Sequence, residues 1–69
     1  MRFDPHPLRV AAAARGDHTI RAIAARLHAP YPSVRRWTSG TAEPRGIALA
    51  AIERTYGVTA AALFTTDAT

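Results

Sequence analysis

Residues Thr19 to Gly40 read TIRAIAARLHAPYPSVRRWTSG, and the fold follows from how this stretch alternates. In its first half Ile20, Ile23, Ala24 and Leu27 recur at i, i+3, i+4 and i+7, a stripe that only a helix makes continuous. Thr19 stands just ahead of the stripe, where a hydroxyl can cap free amides. His28-Ala29-Pro30 then breaks the pattern. Proline disfavours a helical conformation at the residue before it, so the chain must turn within about three residues. A second helix restarts at once, from about Tyr31 to Ser39, and Gly40 stops it. At roughly 100° of rotation per residue, Val34 and Trp37 fall on one side of this helix. Pro32, Arg35 and Arg36 fall on the other, with Tyr31 and Ser33 at the flanks.

Working outward, Asp4-Pro5 is a helix-opening pair and Gly16 a left-handed stop, so a first helix is expected over Pro5 to Arg15. Pro7 is tolerated because it lies in the first turn, where its missing N–H has no partner to lose. Beyond Gly40 the stretch Ser39 to Gly46 reads as a loop. A fourth helix starts near Pro44 or Arg45, with Leu49, Ile52 and Tyr56 on one face, Ala48 and Ala51 widening it, and Gly57 ending it. A last short helix follows Thr59, with Leu63 and Phe64 closing the core, and the polar tail Thr65 to Thr69 frays. The expectation is an all-α fold, a compact bundle of about five short helices without strands.

At 69 residues the chain has room for one modest core and one domain, and too little for a second lobe that would frame a catalytic cleft. Cysteine is absent, which removes disulfides and thiolate metal sites and leaves stability to side-chain contact alone. Unbroken apolar runs such as Val10 to Ala14 and Ala60 to Phe64 are far short of the roughly 20 residues that cross a bilayer. The N-terminus lacks a signal-peptide layout, so a cytoplasmic location and no membrane partner are expected. Net charge is +4, and all the basic residues are arginine. A balance of this kind suits a polyanionic partner, and the arginine fork grips a phosphate or two guanine acceptors at once. An Ala- and Arg-rich chain is also what GC-rich coding DNA produces, so placement of charge carries more than its total.

The segment Thr19 to Gly40 resembles the lambda-repressor and Cro-like helix-turn-helix family, with the motif over about residues 19–39. Ala24 looks like the small residue where the family's two helices touch, and Leu27 like the last core residue before the turn. Val34 and Trp37 look like the buried pair of its recognition helix. Ser39-Gly40 followed by Glu43-Pro44 is similar to the family's exit loop, and Tyr56-Gly57-Val58 with Leu63-Phe64 to its usual ending. His28 replaces the usual turn glycine, Pro30 and Pro32 replace hydrogen-bonding side chains, and Ile20 replaces a polar residue.

The resemblance implies a sequence-specific regulator of transcription acting on a double-stranded DNA operator. Its implied base contacts are Tyr31, Pro32, Arg35 and Arg36, and its expected phosphate contacts are Thr19, Arg21, Ser33 and Arg45. Arg26 and Arg54 could each also hold a phosphate, though solvated surface is as good a reading for Arg54, which is remote from the motif and adjoins Glu53. One such helix reads only a few base pairs, so specific binding calls for a weak homodimer or neighbouring copies. The surface around Leu63 and Phe64 is the candidate contact. A chain this short, in a bacterial or phage-infected cell, resembles a phage Cro-type repressor more than a full-length ligand-responsive one, and no small-molecule ligand is expected.

Other chemistries find less support in the residues. His6, His18 and His28 have no spacing that converges on a metal, so neither metal nor cofactor is expected. Asp4, Asp17, Glu43, Glu53 and Asp67 pair with no histidine at helical spacing, several reading as caps or loop polars. Ser33 and Ser39 have no evident base, and the glycines form no phosphate loop, which argues against an enzyme. The rival reading is a helix-turn-helix fold used as a protein-interaction module, an antitoxin or anti-repressor with an acidic partner.

Overall fold

The computed structural model describes residues 2–65. A first helix, α1, spans His6–Ala14. Asp4 Oδ1 accepts the His6 amide at 3.0 Å, and Pro5 is already helical at φ −75°, ψ −9°, so the acid–proline pair opens the helix as its chemistry predicts. At the other end the Gly16 and Asp17 amides bond back to the Ala13 and Ala12 carbonyls at 3.0 and 2.9 Å, the Schellman pattern.

Helix α2 is Ile20–Leu27, and the Thr19 hydroxyl accepts the Ala22 amide at 3.1 Å. Its end is again a Schellman closure, His28 to Ala25 at 3.3 Å and Ala29 to Ala24 at 3.0 Å. Here the left-handed position is filled by His28, at φ 55°, ψ 40°. Three residues after α2, helix α3 runs Tyr31–Ser39, the bounds its sequence implied. Gly40 at φ 79° closes it, with its own amide on the Trp37 carbonyl at 3.2 Å and the Thr41 amide on that of Arg36 at 3.0 Å.

Helix α4 is Ile47–Tyr56, two to three residues later than Pro44 or Arg45. Gly46 stands before it at φ 51°, ψ −114°, a conformation open only to glycine and incompatible with helix. Pro44 is instead a fully buried loop residue. After Gly57, the Thr59 hydroxyl accepts the Ala62 amide at 3.3 Å and opens a four-residue helix, α5, Ala60–Leu63.

Two dipeptides correct the expectation of no strand. β1, Arg2–Phe3, pairs antiparallel with β2, Phe64–Thr65, in the register Arg2 to Thr65 and Phe3 to Phe64. The Asp4 amide extends the clasp to the Leu63 carbonyl at 2.7 Å. The Phe3 and Phe64 rings meet at 5.6 Å between centroids. Two-residue strands carry no alternation that a sequence can show, and Thr65 is held here instead of fraying. The rest of the expected tail, residues 66–69, lies outside the described residues.

The molecule is thus a compact, mostly helical globule, five helices and almost no strand among the described residues. Leu8 of α1, Val34 of α3, Ile52 of α4 and Leu63 of α5 are wholly buried at its centre, with Ile23 and Leu27 of α2 beside them. Leu63 therefore closes the core as expected, and the same burial removes it from any dimer surface: its side chain has no area left to offer a partner. Helix α3 rests mainly on α2 and more lightly on α1.

Among the described residues no buried side-chain polar atom lacks a partner. The main buried polar group is Asp17, only 8% exposed. It accepts from Arg26 Nη2 at 3.1 Å, from Arg26 Nε, and from the Tyr56 hydroxyl at 2.8 Å. Hydrogen bonding from Arg26 holds the Asp17 carboxyl below its usual range. Burial, and then the bond to Asp17, push the Tyr56 phenol up to about 12.

Candidate nucleic-acid interface

The outer edge of α3 is built by what its inner edge buries. Val34 is 0% and Trp37 8% exposed, and Thr38 joins them with its hydroxyl on the Arg35 carbonyl at 3.1 Å. Arg35 and Arg36 are left in solvent, as are Tyr31 and Pro32, while Ser33 is half-buried. Pro32 costs no backbone bond, since it lies in the first turn. The Arg36 backbone is held firmly: its carbonyl accepts the Thr41 and Ala42 amides at 3.0 and 3.3 Å, and the Ser39 and Thr41 hydroxyls at 3.1 and 3.2 Å. The side chain thus springs from a fixed base.

The fate of the arginines differs sharply along the chain. Arg9 donates to the Thr38 carbonyl at the end of α3, and Arg15 Nη1 to the Thr55 carbonyl near the end of α4 at 3.1 Å. Both place a cation against the negative end of a helix dipole. Arg26, read from sequence as able to hold a phosphate, is committed to Asp17. Its charge is cancelled there, because the i to i+9 pairing closes a loop that linear spacing does not reveal. Asp17, read as a cap or loop polar, is the buried hub of that cluster. Arg45 stands 85% exposed in the loop before α4 with a loose 3.9 Å approach to Glu43. The guanidinium groups of Arg35, Arg36 and Arg54 have neither hydrogen bond nor ion pair among the described residues.

Of the expected phosphate contacts, Thr19 uses its oxygen to cap α2, which leaves the hydroxyl proton free to donate. Arg21 lies in solvent with its guanidinium carbon 5.8 Å from the Tyr31 ring centroid, within the range of a cation–π contact. The two border an open hollow of about 610 Å³ lined also by Ala24, Ala25, His28 and Ala29. Arg21 and Tyr31 are the predicted site residues that the structure brings into contact across elements. The pairing escaped the sequence because ten positions and a turn separate them. No hydrogen bond or ion pair links Thr19, Ser33 or Arg45 to the arginines of α3.

Among the described residues no group of three or more His, Cys, Asp or Glu could hold a metal ion, and no helix is long and apolar enough to cross a membrane. Comparison of the chain with protein-family models, curated proteins and solved structures returned no match.

Proposed function

We propose that this chain is a cytoplasmic, sequence-specific regulator of transcription, a small Cro-type repressor that binds double-stranded DNA through a helix-turn-helix formed by α2, the turn at 28–30 and α3. The observation that carries the reading is the two-sidedness of α3. It is anchored by Val34 and Trp37 and turns Arg35 and Arg36 outward with no described partner. A helix about 10–12 Å across fits the major groove, about 12 Å wide. Arg36, with Arg35 beside it, meets guanine acceptors there, and the Pro32 ring touches a thymine methyl. Thr19, Ser33 and Arg45 supply donors to the flanking phosphates, and two copies on a two-fold site give the operator its length.

Selection of bound duplexes from a random pool at two salt concentrations tests this. An enriched two-fold motif is expected, with log affinity falling linearly in log salt. Arg36→Ala should relax the preference at one base pair, a loss of about 1–3 kcal/mol of discrimination, whereas Arg54→Ala on α4 should leave the motif unchanged. Binding without sequence preference, or affinity indifferent to salt, would overturn the proposal.

A further inference from the structure

The sequence points to Tyr31 as a base reader; its surroundings suggest another part. One face of the ring carries the Arg21 guanidinium at 5.8 Å, so a base cannot stack there. The start of α3 is also poor in donors for an anion. Pro32 has no N–H, and the Ser33 and Val34 amides both bond the Pro30 carbonyl at 3.1 Å. Pro30 supplies no side-chain cap. Only the Tyr31 amide is left open, whereas helix ends that hold phosphates by backbone alone present several. Positive charge at this end must come from a side chain.

Arg21 is the cation in place to supply it. The contrast with Arg26 is chemical: a carboxylate cancels the charge of a guanidinium and occupies its in-plane N–H groups, as Asp17 does to Arg26. An aromatic face does neither. It attracts the flat of the guanidinium through the ring quadrupole and leaves the full charge and the fork of N–H donors pointing outward. It also restrains a long side chain before any ligand arrives, so less freedom is lost on binding.

We infer that Tyr31 is a positioning residue, whose ring holds Arg21 so that its guanidinium grips one DNA phosphate at the start of α3. This rests on the reading that the chain binds duplex DNA. The test is a double-mutant cycle on the selected operator with Arg21→Ala, Tyr31→Leu, their combination and Tyr31→Phe, each checked for a native melting curve by circular dichroism.

Arg21→Ala should weaken all duplexes alike and lower the slope of log affinity against log salt by about 0.9. Tyr31→Leu should cost roughly two- to fivefold without altering base preference, Tyr31→Phe should bind as the parent does, and the double variant should be no weaker than Arg21→Ala alone. In the free protein, ring current from Tyr31 should shift the Arg21 δ-protons upfield in NMR spectra, and Tyr31→Leu should abolish that shift. Fully additive losses, a changed base preference in Tyr31→Phe, or unshifted δ-protons would overturn the positioning role while leaving DNA binding intact. A parent protein that binds no duplex even at low salt overturns both readings, and is recognised by needing no variant.

Discussion

His28 occupies a left-handed conformation, φ 55° and ψ 40°, that costs a residue with a Cβ roughly 1–2 kcal/mol. It is held because its own amide and that of Ala29 close α2 onto the Ala25 and Ala24 carbonyls, which points the chain toward α3 within three residues. His28→Gly should therefore stabilise the protein by about 1 kcal/mol, read as a rise of roughly 4–8 °C in the midpoint of thermal unfolding. An unchanged midpoint would show that the imidazole makes compensating contacts in the native state. At the same scale, the two prolines around Tyr31 are compatible with helix because each lies where no backbone bond is due.

Among elements, the Asp17 cluster joins the α1–α2 connection to α2 through Arg26 and to α4 through Tyr56. It makes stability depend on pH at both ends. Asp17 titrates below its ordinary 3.8 in the folded protein, so its contribution is complete above that value and is lost as pH falls through the depressed one. Tyr56 is raised from 10.0 to about 12, so its contribution is complete below 10 and fades as pH climbs toward 12, where only the unfolded chain readily gives up the proton. Urea denaturation across pH should show both limbs. Asp17→Asn should flatten the acid limb, and Tyr56→Phe should flatten the alkaline one while costing roughly 1–2 kcal/mol near neutrality. An acid limb that survives Asp17→Asn would assign it to other carboxylates.

For the whole molecule, a radius of gyration of 11.1 Å matches the roughly 11 Å of a fully collapsed chain this long. A domain of this size has only about 3–10 kcal/mol of stability to lose. The clasp of Phe3 on Phe64 ties the two ends of the chain across α1 and α5. Phe3→Ala, at a half-buried site, should remove about 2 kcal/mol, seen as a lower urea midpoint at unchanged slope. A midpoint that does not move would mean the clasp opens independently of the core.

The periodic stripe of α2, the apolar pair of α3 and the glycine or proline at most helix ends are properties of neighbouring residues. Helices α1, α2, α3 and α5, and the outward placement of Arg35 and Arg36, were therefore legible along the chain. The start of α4 was not: Pro44 and Arg45 have the form of a helix opening, but Gly46 adopts a glycine-only conformation and Pro44 is drawn into the core. Nor was the short terminal pairing, which depends on α1 and α5 bringing distant ends together. The use of each arginine was likewise a tertiary outcome. A guanidinium is engaged by whatever group the fold delivers to it, a carboxylate that cancels its charge at Arg26 and a backbone carbonyl that occupies its donors at Arg9 and Arg15. Sequence alone determined how much positive charge the protein carries and that Arg35 and Arg36 turn away from the core; only the fold, through distances between residues far apart in the chain, decided that Arg9, Arg15 and Arg26 are spent on internal partners.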